Sequence, residues 1–91
     1  MLIALMAKDK PGALDVRKAN RDAHVAYLKG SGDTIMMAGP FLDDAGEMCG
    51  SLIILNVADM AEAEAWAAND PYKAAGLFES VTLQAWNKVL G

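Results

Sequence analysis

One cysteine, Cys49, and one histidine, His24, stand among 91 residues. A lone cysteine closes no internal disulfide. One Cys beside one His also falls short of the four ligands that a structural zinc site takes. No resident metal and no cofactor is therefore expected. Basic residues are few: 8 Lys and Arg against 12 Asp and Glu leave a formal charge of −4. Such a chain repels a phosphate backbone and an anionic lipid surface, which argues against nucleic-acid partners and against polybasic membrane binding. Long apolar runs are missing as well. Met1 to Ala7 is apolar, but Lys8, Asp9 and Lys10 end it, and a bilayer span takes roughly 20 apolar residues. With no basic segment before it and no small-residue cleavage site after it, this stretch is a poor signal peptide. The cytoplasm is the expected compartment, with no membrane partner.

What is present is globular. The chain is 54% hydrophobic and 22% charged, which excludes a disordered polyelectrolyte. Residues 1–91 make one domain. A chain of this size buries only about 60% of its unfolded surface, so its own core is marginal. Its apolar content exceeds what a small monomer needs. A second copy of the chain is the simplest cover for the surplus.

Leu2 to Ala7 reads as a short strand covered on both faces. Lys8-Asp9-Lys10-Pro11-Gly12 reads as a loop. Ala13 to Lys29 is free of Pro and Gly and predicts a helix, ended by Gly30-Ser31-Gly32. Thr34 to Ala38 predicts a second strand, closed by Gly39-Pro40. Phe41 to Gly50 reads as a hairpin loop. Ser51 to Val57 is the clearest strand, with apolar residues on both faces. Asp59 followed by Glu62 resembles a capping box at the start of a helix that runs to Ala68. Asn69-Asp70-Pro71 stops that helix, and Tyr72 to Ala75 predicts one further helical turn. Phe78 to Val89 is the last strand.

The order is βαββαβ. It predicts an α+β, ferredoxin-like fold: a four-stranded antiparallel sheet with two helices on one face. Right-handed crossovers place the first and third strands at the centre, in keeping with their being the most apolar. The second sheet face also carries apolar side chains, which predicts a homodimer packed sheet face to sheet face, a dimeric α/β barrel.

Candidate chemistry centres on the first helix. At about 100° per residue, Arg17, Arg21, His24 and Leu28 share a narrow arc. Two cations and an imidazole make a poor core stripe but a good lining for a polar pocket. The plainer alternative is a solvated face, with Ala19, Ala23 and Ala26 packed inward. Asp70 is first of all a turn former. Two helices lying side by side on the sheet would nevertheless bring it near the middle of the first helix. A carboxylate beside an imidazole holds one tautomer and orients a general acid–base pair. Gly39 and Pro40 either end a strand or let backbone approach a ligand. Ser51 offers a hydroxyl at a pocket mouth, with nothing in the sequence to make it a nucleophile. Nothing cationic neighbours Cys49, so no reactive thiol is expected.

Several of these pieces occur together elsewhere. Arg21-x-x-His24-x-x-Tyr27-Leu28, Ala38-Gly39-Pro40, Gly50-Ser51 and Asp70-Pro71-Tyr72 followed by Ala75-Gly76 resemble the YciI-like (YCII-related) family over nearly the whole chain. The resemblance implies a dimeric α/β-barrel fold, similar to that of muconolactone-isomerase-type dimers. It also implies a pocket with a His–Asp dyad at His24 and Asp70, and some relatives are linked to elimination on chlorinated hydroxylated aromatics. Related barrels that bind haem would leave only His24 as an axial ligand here, and no Cys–His attachment motif accompanies it.

The expected function is acid–base catalysis, isomerase- or lyase-type, on a small anionic organic substrate. His24 and Asp70 are the catalytic pair. Arg17, Arg21, Gly39, Pro40, Ser51 and Tyr72 are the substrate-binding residues, a guanidinium being suited to a carboxylate or enolate. The alternative is a non-catalytic dimeric module that binds a metabolite in the same pocket.

Overall fold

The computed structural model describes all of residues 1–91. Its elements are β1 (Leu2–Asp9), α1 (Leu14–Gly30), a 3-10 turn (Gly32–Thr34), β2 (Ile35–Leu42), β3 (Met48–Asn56), α2 (Met60–Ala68), α3 (Pro71–Ala74) and β4 (Phe78–Trp86). The sheet order is β2-β3-β1-β4, with every neighbouring pair antiparallel. This is the ferredoxin-like α+β arrangement, with β1 and β3 central.

Period-two alternation along β1 and β3 sets the core. Ile3, Leu5 and Ala7 join Ile53, Leu55 and Val57 in one buried cluster, which Ala63 and Trp66 of α2 complete. Tyr27 and Leu28 of α1 pack against it. The opposite face stays open: Met6, Met37, Phe41 and Trp86 are exposed there. At the start of α2, Asp59 Oδ1 accepts from the Glu62 N–H at 2.9 Å, and Glu62 Oε2 accepts from the Ala58 N–H at 2.8 Å. One free N–H of the first turn and the N–H just ahead of the cap are thus satisfied reciprocally.

Several element ends differ from expectation. β1 continues to Asp9, and the Lys10 N–H donates to the Leu77 carbonyl at 2.9 Å. β2 runs through Gly39-Pro40 to Leu42. It is an edge strand, where a missing N–H is tolerated. The hairpin tip shrinks accordingly. Asp43 Oδ1 accepts from the Ala45 and Glu47 N–H groups at 2.9 and 3.0 Å, holding the turn closed. β4 stops at Trp86, opposite Leu2, the first residue of β1, and Val89 lies outside the strand.

Gly50 faces Lys8 on β1 and Phe41 on β2. A Cβ there would overlap the Ala7 carbonyl oxygen. The glycine lets three strands approach closely at the point where Ser51 turns its side chain to the helix face.

Candidate active site

Two residues of α1 are buried, Arg17 and His24. Ala19, Ala23 and Ala26 are exposed, so the reading with alanines packed inward does not hold. Burial of two polar side chains demands partners, and each finds one from another element.

His24 meets Asp70. Its Nδ1 lies 2.8 Å from Asp70 Oδ1, across a sequence separation of 46. Asp70 is both turn former and partner: it N-caps α3, and the same oxygen accepts from the Tyr72 N–H at 3.0 Å. Pro71 at the first helical position supplies the fixed φ that starts this short helix. Asp70 Oδ2 is buried without a partner. A carboxylate accepting the Nδ1 proton leaves Nε2 as the basic ring nitrogen, and no protein group bonds to it. Tyr72 stacks on the imidazole with ring centres 3.9 Å apart and planes 14° from parallel. Phe78 meets the Tyr72 ring edge-on, with centres 5.9 Å apart.

Arg17 meets Asp9. Nε donates to Oδ2 at 2.7 Å and Nη2 to Oδ1 at 2.9 Å, a bidentate pair. Nη2 also donates to Ser51 Oγ at 2.9 Å. The guanidinium carbon sits 4.7 Å from the centre of the Tyr72 ring. Burial works against the Arg17 charge, but the hydrogen bond and the charge of Asp9 outweigh it and hold its pKa above the ordinary value. Burial likewise pushes the Tyr72 phenol up, with Arg17 and Arg21 opposing in part.

A cavity of about 150 Å³ opens beside this arrangement. Arg17, Arg21, His24, Gly39, Pro40, Ser51 and Tyr72 all contribute to its wall, together with Val25, Leu28, Met48 and Ile53. Asp70 stands behind His24, outside the wall. Arg21, unlike Arg17, is exposed and has no bonded carboxylate. Asp9 is the site residue that the sequence does not announce, since between two lysines and ahead of Pro-Gly it reads as part of a loop. The alternation Ile3, Leu5, Ala7 carried on by one step points to it. No three His, Cys, Asp or Glu side chains converge into a metal-sized cluster.

Known proteins share this chain's sequence and fold. Residues 1–87 match the model of the YCII-related domain. The chain is 36% identical over 97 residues to protein YciI of Escherichia coli O6:H1, covering 98% of this chain and 99% of that protein. Among solved structures it is similar to 5-chloro-2-hydroxyhydroquinone dehydrochlorinase from Burkholderia phenoliruptrix AC1100, in complex with 2,5-dihydroxybenzoquinone. The TM-score is 0.88 at 36% identity, covering 96% of this chain and 94% of that one. A NIPSNAP family protein from Agrobacterium tumefaciens shares the fold alone, with a TM-score of 0.55 at 18% identity over 91% of this chain and 87% of that one. With a domain match across residues 1–87 and full-length relatives at 36% identity, the chain belongs to the YCII-related family.

Proposed function

We propose that this protein is a small-molecule enzyme in which His24, oriented by Asp70, moves a proton on a compact anionic substrate, in an isomerase- or lyase-type reaction. The 2.8 Å contact by which Asp70, behind the wall, holds Nδ1 of His24, which lines the cavity, carries this reading. Nε2 takes a proton from an acidic O–H or C–H of the substrate. Asp70 stabilises the imidazolium that results. Elimination follows when the electron pair left behind expels a leaving group. The kinship with a dehydrochlorinase supports that outcome. The cavity volume supports a substrate of about one ring, since a cavity of ~150 Å³ accommodates benzene.

Arg21 is the guanidinium free to hold an anionic group. Arg17 positions its neighbours instead, because Asp9 and Ser51 occupy its Nε and Nη2 donors. Hydrolysis through Ser51 has no geometric support: Oγ accepts from Arg17 and makes no bond to His24. The reading includes a homodimer in which a second copy covers the open sheet face, where Met6, Met37, Phe41 and Trp86 are exposed.

The test is chloride release from chlorinated hydroxyhydroquinones under anaerobic conditions. His24→Gln is expected to lower turnover by about 10²- to 10⁴-fold while the circular dichroism spectrum is unchanged. Wild-type turnover in both His24→Gln and Asp70→Asn would remove the dyad from the chemistry. Ligand binding without turnover in the wild type would make the protein a metabolite-binding module.

A further inference from the structure

The polar side chains around the cavity divide sharply into one base and several donors. Arginine has hydrogens to give and no site to accept. Where Arg17 Nη2 lies 2.9 Å from Ser51 Oγ, the serine therefore accepts. Arg17 cannot turn away, because Asp9 grips it with two bonds of 2.7 and 2.9 Å. The hydroxyl hydrogen of Ser51 is left over. No protein acceptor takes it, and Ser51 lines the cavity. Its polarity is fixed from behind, as a donor.

Tyr72 is in the same position for a different reason. Its ring is held by the imidazole stack on one side and by Phe78 edge-on. Its hydroxyl bonds to no acceptor of the protein, and the residue forms part of the cavity wall. The charged groups near the phenol are Arg17, Arg21 and Asp70. Asp70 takes no bond from the phenol: Oδ1 accepts from His24 and from the Tyr72 N–H, and Oδ2 has no partner. The two arginines can only donate toward the phenol oxygen, so its hydrogen too is free for a ligand.

We infer that Ser51 and Tyr72 form an oxyanion-binding pair, donating to the substrate oxygen that becomes negative when His24 Nε2 takes a proton. Asp9 and Arg17 are positioning residues that set the serine as a donor. The step balances within the cavity. The proton goes to Nε2, its bond pair moves through the conjugated substrate to an oxygen, and that oxygen receives the two hydroxyl hydrogens. The substrate class is a compact conjugated ring or enolisable ketone with at least two oxygens, one near Nε2 and one between the hydroxyls. Fixed donors aimed at developing charge need no rearrangement during the reaction, which is why such groups are effective. This inference rests on the acid–base reading of the same site.

The experiment measures binding, not turnover, so that it can fail separately from that reading. The probe is 2,5-dihydroxybenzoquinone, an anion at neutral pH, compared with neutral hydroquinone in the full-length protein by calorimetry. Ser51→Ala and Tyr72→Phe are each expected to weaken the anion about tenfold, the scale of a charge-assisted hydrogen bond. Hydroquinone affinity should change less than about threefold. Ser51→Thr, which keeps the hydroxyl, should restore binding. Equal losses for both ligands, no loss in either variant, or a wild type that does not prefer the anion would each overturn the assignment. Loss of turnover in His24→Gln alongside any of those results would leave the acid–base reading standing without it.

Discussion

Asp70 serves two neighbours through one oxygen, the His24 ring nitrogen and the Tyr72 amide. The two roles separate on substitution. Asparagine caps a helix about as well as aspartate, so Asp70→Asn should leave the melting temperature nearly unchanged. It should still lower turnover by at least about 100-fold, since a neutral amide neither enforces the tautomer nor stabilises the imidazolium. A large fall in melting temperature with intact turnover would show a purely structural aspartate. Tyrosines make the alkaline limit predictable. Burial raises both Tyr27 and Tyr72, Tyr27 further through the charge of Asp70 and Tyr72 despite the two arginines. The unfolded chain then loses these protons first, near the ordinary tyrosine value of about 10. Above that pH it binds fewer protons than the folded chain, and stability falls as pH rises. Below it both states are protonated and the contribution is constant. Urea midpoints should be flat from about pH 8 to 9 and drop above about pH 10. The combined Tyr27→Phe and Tyr72→Phe variant should show a shallower drop.

Among the elements, β3 has the tightest constraint. Its Gly50 lies against β1 so closely that any Cβ meets the Ala7 carbonyl oxygen, a backbone atom that cannot swing aside, and then the Phe41 ring at 3.3 Å. Gly50→Ala must part β1 from β3 just where Asp9 and Ser51 converge on Arg17. A loss of about 2 kcal/mol or more is expected, in the range of overpacked cores, measured by urea denaturation. Turnover at low temperature, where the variant remains folded, should fall as well, because Ser51 moves with the strand. An unperturbed Gly50→Ala protein would mean that the strands separate freely there. α1 shows the opposite design. Its inward face carries Arg17 and His24 where a core helix would carry leucines, and the sheet beneath supplies Asp9 and Ser51 to receive the arginine. A buried ion pair of this kind adds little net stability. Its geometry, which aims a serine hydroxyl, is the better reason for its presence.

On the scale of the molecule, the sheet has one covered face and one open one. The open face exposes Met6, Met37, Phe41 and Trp86, and exposed apolar side chains gathered on one face mark an association site. A homodimer through this face is expected by sedimentation velocity. Phe41→Asp should shift the protein to monomer, since a charge buried in such a contact is desolvated without a partner. A wild-type chain that sediments as a monomer at micromolar concentration would refute the sheet-face dimer. No helix is long and apolar enough to cross a membrane.

The pattern of residues along the chain was enough for the element order, the central placement of β1 and β3, and the cap at Asp59. Each of these depends on local periodicity or on residues a few positions apart, which sequence displays directly. The arc of Arg17, Arg21 and His24 was legible in the same way, from helical spacing. Asp9 was not, because two flanking lysines and a following Pro-Gly look like a loop until β4 arrives to extend the strand. Nor was the donor polarity of Ser51, which depends on an arginine 34 positions away that is itself held by Asp9. Whether a buried polar group is catalytic, structural or merely solvated depends on which partners exclude water from it. Those partners come together only when helices dock on the sheet.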